Sequence, residues 1–126
     1  MYSPRFFKSS EFRKCKPSCD ISDMKEEFLR KLDEARTLAK TPFILNSAYR
    51  SIDYEKSKGR SGTSSHCKGV AVDLDCKSSH VRMRIVSALL QVGFRRIGVY
   101  PTFIHVDMDE DKITSLWLSS SDITRG

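Results

Sequence analysis

Two stretches of this chain alternate apolar and polar side chains so regularly that both are predicted as strands of one sheet. In the first, Val70, Val72 and Leu74 fall on one face, and Ala71, Asp73 and Asp75 on the other. In the second, Ile104, Val106 and Met108 share one face, while Phe103, His105 and Asp107 share the opposite one. Each strand thus offers an apolar face to a core and a second face bearing ionisable groups. If the two are neighbours, Asp73 and His105 converge across the sheet. His66 then comes from the loop that leads into the first strand, and Gly69 lets that loop turn sharply.

Two imidazoles and one carboxylate are a usual ligand set for a catalytic zinc, which takes three protein ligands and keeps a fourth position for water. Taken singly, each residue has a plainer reading: a satisfied strand histidine, a turn-capping Asp73, a solvent-facing Asp107. Together they sit amid apolar alternation that would bury them. An uncompensated charge there is costly, and a cation would offset it. The third histidine, His80, falls in the first turn of a predicted helix and is expected to face water.

A length of 126 residues, 39% hydrophobic and 30% charged, suits one soluble domain with a real core. No apolar run approaches the roughly 20 residues that span a membrane. The opening Met1-Tyr2-Ser3-Pro4-Arg5-Phe6-Phe7-Lys8 lacks an apolar stretch and a cleavage site, so no signal peptide is read. Synthesis in the cytoplasm is expected, with action on outside structures only after release. The net charge of +6 suits a polyanion, either an anionic cell wall or nucleic acid. Lys and Arg are spread along the chain without a groove-binding motif, so nucleic acid is not the expected partner.

Met24, Phe28, Leu32, Ala35 and Leu38 or Ala39 form a helical stripe beginning near Ser22, with Asp20 or Ser22 as cap and Thr41-Pro42 as its stop. Val81, Ile85, Leu89 and Val92 form a second stripe, capped by Ser78 or Ser79 and ended by Gly93. Phe43-Ile44-Leu45, Phe94 to Tyr100 and Ile113 to Leu118 read as further strands, and Tyr54 lies in a short helical turn. Residues 1–19 read as an irregular tie-down segment, and residues 119–126 as a frayed tail. The ordering predicts an α+β fold: a small antiparallel sheet with helices packed on one side. Cys15, Cys19, Cys67 and Cys76 match no tight zinc-knuckle spacing, and without an export signal they read as free thiols.

Ser64-x-His66-x-x-Gly69-x-Ala71-x-Asp73, followed by a distal His105-x-Asp107, resembles the zinc D-alanyl-D-alanine carboxypeptidases and related peptidoglycan peptidases. Their superfamily also holds the hedgehog signalling domain and the lysostaphin-type endopeptidases. Glu11-Phe12, Asn46-Ser47-Ala48-Tyr49-Arg50-Ser51 and Gly98-Val99-Tyr100-Pro101 resemble further family motifs, so the likeness runs from about Glu11 to Asp107. The nearest branch looks like short stand-alone members from bacteria and their phages. The resemblance implies zinc held by His66, Asp73 and His105, a monomeric peptidase, and a peptidoglycan peptide as substrate. It implies that Arg50 reaches the scissile carbonyl or a substrate carboxylate, and that Ser64 and Tyr49 contact the peptide.

Many relatives carry a Glu or Asp three residues before the last histidine as general base. Here that position is Thr102, which cannot serve. Asp107 is the candidate on the same strand face, either as the base or as a carboxylate that orients a ligand. Three rival readings follow: a zinc-containing wall-binding module without turnover, a metal-dependent nuclease suggested only by charge, and a structural zinc protein built on the cysteines.

Overall fold

Strand alternation delivers its two faces. The structure is a computed structural model that describes residues 2–123. Its helices are α1 (Ser9–Arg13), α2 (Glu26–Ala39), α3 (Ile52–Ser57) and α4 (Ser79–Gln91). Its strands are β1 (Leu45–Ser47), β2 (Ala71–Asp75), β3 (Arg96–Val99), β4 (Phe103–Asp107) and β5 (Ser115–Leu118). They form one sheet in the order β1-β2-β4-β3-β5. The α+β class is as expected, and β1 to β4 pair antiparallel. The last strand differs: β5 runs parallel to β3. The reason lies in the connection after β4. It returns to the start of β3, where Ser115 N–H donates to the Arg95 carbonyl and Arg96 Nη1 to that of Ile113.

The apolar sheet face, with Val72, Leu74, Ile97, Ile104 and Val106, shares one buried cluster with Phe28 and Leu32 of α2 and Ile85 and Leu89 of α4. Phe28 meets Phe94 edge to face, with ring centroids 5.8 Å apart. The α2 stripe resolves in favour of Ala39, which is buried, while Leu38 is 48% exposed. This helix starts later than its stripe suggests. Asp20 caps a separate 3-10 turn, Ile21–Asp23, and α2 begins at Glu26. Lys40, in the left-handed region (φ 53°), ends it before Pro42. In α4, Ser78 accepts from Val81 N–H, and Gly93 (φ 98°) follows the helix end.

Residues 2–19 contain α1, which the sequence pattern does not announce because its one buried residue, Phe12, has no periodic partner. Buried Asp33 on α2 fastens this segment by accepting from Tyr2 OH and from the backbone N–H of Arg5 and Phe6. At the other end, Ser119 N–H donates to Val99 O, and Asp122 Oδ1 accepts from Thr102 N–H. The part of the expected frayed tail at 124–126 lies outside the described residues.

Gly98 sits on β3 between His105 of β4 and Trp117 of β5. A Cβ placed there would overlap the Trp117 indole, so the ring can cover this backbone only where the residue is glycine. Gly98→Ala is expected to displace Trp117 and lower stability by about 1–3 kcal/mol. Denaturant unfolding checks the loss. The emission of Trp117, the chain's one tryptophan, checks the displacement through a red shift in the native state.

Candidate metal centre

The β2–β4 register sets Asp73 directly opposite His105. His66 arrives from the 3-10 turn Ser65–Lys68. Ser64 caps that turn by accepting from His66 N–H, and Gly69 (φ 71°) closes it. A side chain at Gly69 would strike the Asp23 carbonyl, so the left-handed residue also admits a close backbone approach. His66 Nδ1–H donates to Ala48 O at 2.6 Å, which leaves Nε2 facing Asp73 Oδ1 at 3.4 Å. His105 Nδ1 lies 3.0 Å from the same oxygen, and its Nε2 lies 2.6 Å from Asp107 Oδ2.

Three donor atoms therefore converge, one each from His66, Asp73 and His105, all within 4.8 Å of one another. Tetrahedral zinc with bonds of about 2.0–2.1 Å separates its ligands by about 3.3 Å. The two distances to Asp73 Oδ1 match that spacing before any adjustment. This chemistry of two neutral imidazole nitrogens and one carboxylate oxygen fits zinc. Among the described residues it is the one such cluster of His, Cys, Asp and Glu. All four cysteines are free thiols, and they do not assemble a second one.

The local electrostatics follow from burial and pairing. Burial pushes the Asp73 carboxyl up, but the charge of His66 and hydrogen bonds with both histidines outweigh it and hold the group well below the usual carboxylate range. Burial depresses His66. Burial would also depress His105, yet its hydrogen bonds to Asp107 and Asp73 prevail and raise it. His105 is thus held between two carboxylates, Asp73 at Nδ1 and Asp107 at Nε2.

Asp107 is completely buried. Its Oδ2 faces His105, and its Oδ1 accepts from Arg96 Nε at 2.8 Å and from Asp109 N–H at 2.9 Å. Arg50, 8% exposed, extends Nη1 toward Ser47 and Nη2 toward Ser64. A cavity of about 300 Å³ opens here, lined by Arg50, Ser64, His66, His105 and Asp107. Tyr49, expected to contact substrate, is half-buried, packs against the hydrophobic core and does not line this cavity. His80 is exposed, as expected.

Sequence reasoning missed Ser65, Arg96, Tyr100, Lys112 and Trp117, which also line the cavity. The isolated Gly98 in a strand and the lone Trp117 in the next one were the available signals. The Trp117 ring centroid lies 5.5 Å from that of His105, and its Nε1–H donates to Tyr100 OH.

Zinc and a proton compete for His105 Nδ1, and the pKa of this ring is raised. Affinity is therefore expected to rise with pH and to level off above the elevated His105 pKa. Calorimetric zinc titration in buffers of different ionisation enthalpy should show proton release that declines as the pH is raised. Comparison with curated proteins finds no match. A family model described as Peptidase M15 does match, over residues 7–107, a span that contains all three candidate ligands and Asp107. Most of the chain is covered, and the chain belongs to the peptidase M15 family, the zinc D-alanyl-D-alanine carboxypeptidase-like peptidases.

Proposed function

We propose that this protein is a zinc peptidase that hydrolyses amide bonds in peptidoglycan stem peptides, of the D-Ala-D-Ala carboxypeptidase type. The observation that carries the reading is the convergence of His66 Nε2, Asp73 Oδ1 and His105 Nδ1 at zinc-like spacing on the floor of an open cavity. Zinc held there would supply Lewis acidity and an activated water at neutral pH. Arg50, with its guanidinium pointed along the cavity wall, donates to the scissile carbonyl oxygen or to the peptide's terminal carboxylate. Ser64 orients Arg50 and offers its hydroxyl to the peptide backbone. Hydrolysis adds water across the C–N bond and leaves a carboxylate and an amine.

Asp107 takes the orienting role of the two open to it. Its contacts fix His105 with Nε2–H toward Asp107 and Nδ1 toward the candidate ion position, and both of its oxygens already accept hydrogen bonds. The net charge of +6 keeps the protein near anionic wall polymers. No helix among the described residues is long and apolar enough to cross a membrane.

The zinc-containing wall-binding module without turnover stays as the second reading. The favouring observation is that Asp107 is the one carboxylate lining the cavity and is already engaged.

Incubation of the zinc-loaded protein with a peptide ending in D-Ala-D-Ala, and with purified peptidoglycan, should release cleaved products detectable by mass spectrometry. A chelator or His66→Ala should abolish the release. Zinc-independent cleavage, or none, counts against the peptidase; retention on peptidoglycan without cleavage selects the module. Asp107→Asn should weaken zinc binding by about 10–100-fold, measured by competition with a chromophoric chelator. Unaltered affinity in that variant would argue against the orienting role.

A further inference from the structure

Behind Arg50, away from the metal, the structure buries a carboxylate that none of the proposed chemistry uses. Glu55, on α3, is fully buried. From one side Arg60 reaches it, with Nε 2.8 Å and Nη2 2.5 Å from Oε2. From the other side Arg50 Nε lies 3.5 Å from the same oxygen. The turn after α3 makes this possible: Lys58 and Arg60 N–H both donate to the Glu55 carbonyl, and Gly59 (φ 78°) reverses the chain so that the Arg60 side chain folds back.

Two buried atoms in this group lack a hydrogen-bond partner: Arg50 Nε and Glu55 Oε1. A buried carboxylate without a full complement of donors is unfavourable, and surface folding alone has no use for it. The arrangement gains a purpose through Arg50. Its two Nη atoms reach forward to Ser47 and Ser64, and its Nε faces back to Glu55, so the guanidinium is held from both ends. The charge of Arg50 also contributes to keeping Glu55 ionised. Burial pushes that carboxyl up, but the hydrogen bond from Arg60 and the charge of Arg50 bring it below its ordinary value.

We infer that Glu55 is a positioning residue that aims the Arg50 guanidinium at the substrate beside the metal centre, with Arg60 holding the carboxylate from its other side. This rests on the reading of Arg50 as a substrate-contacting group. Glu55 touches no substrate atom and acts through Arg50.

The test compares Glu55→Gln, Arg60→Met, Arg50→Lys and the Arg50→Lys/Glu55→Gln double variant, all zinc-loaded, on a peptide ending in D-Ala-D-Ala. Kinetics are read with zinc content and melting temperature. Glu55→Gln keeps shape and neutral hydrogen bonding, and is expected to lower kcat/KM by about tenfold or more. Arg60→Met is expected to lower kcat/KM clearly less than Glu55→Gln does, because Glu55 still faces Arg50. The double variant should be no worse than Arg50→Lys, the mark of one functional unit. A loss in Arg60→Met equal to that in Glu55→Gln would reduce Glu55 to a loop clip and overturn the inference. So would additive losses, or normal kinetics in Glu55→Gln beside an impaired Arg50→Lys. If Arg50→Lys itself is unimpaired, the reading of Arg50 has failed and the inference goes with it. If the parent protein binds the peptide without cleaving it, the same ranking is read from dissociation constants. There Glu55→Gln, but not Arg60→Met, should weaken binding by about tenfold.

Discussion

A single buried oxygen, Asp73 Oδ1, holds two imidazoles at 3.0 and 3.4 Å, and much of the molecule is arranged to make that contact possible. Taking a carboxylate out of water is costly unless positive charge and donors meet it. The fold meets it from two directions: His105 through the β2–β4 register, and His66 through a capped turn that Gly69 allows to pass close to the Asp23 backbone. The His105 ring partly satisfies the carboxylate. A divalent cation would do so more fully. Stability of this region and metal affinity are therefore expressions of one charge balance.

Around that contact lies a second set of groups whose work is orientation. Ala48 O fixes the tautomer of His66, and Asp107 fixes that of His105. Arg96 in turn fixes Asp107. Asp109 ties the connection after β4 to the His66 turn through Ser65 and Lys68, and its carboxyl is drawn down to about 2 because those bonds and the Lys68 charge outweigh its burial. Each ligand is thus determined by the chain on both sides of it, which keeps the donor atoms at metal-binding distance rather than collapsed on one another.

What could be read from the sequence is what period-two alternation encodes. Val72, Leu74, Ile104 and Val106 marked the core face, and Asp73 and His105 followed by parity. The motif around His66 added the third donor. Long-range pairing is not encoded locally. Nothing near Arg96 signals that β3 will place it opposite Asp107, and nothing near Trp117 signals that β5 will run parallel and lay the indole on Gly98. The Tyr49-Arg50 motif splits by side-chain direction: Arg50 lines the cavity, while Tyr49 is half-buried against the core. Residues 1–19 read as irregular because α1 (Ser9–Arg13) is too short to show a period.

The cations that line the cavity also bear on which group there could move protons. Arg50, Arg96 and Lys112 line it. A general base is most effective when its pKa lies near the working pH. The carboxyl of Asp107 lies below its ordinary value: burial raises it, but the hydrogen bonds from His105 and Asp109 N–H and the charges of His105 and Arg96 outweigh that. A carboxylate so stabilised is a weak base, and it is also shielded from substrate by the ring it holds. Its strength as an orienting group and its weakness as a proton acceptor come from the same contacts. In the proposed reaction, turnover would therefore depend on proton movement through water and the polar groups of the open cavity, and the protein would contribute chiefly the placement of the ion, of Arg50 and of the peptide between them.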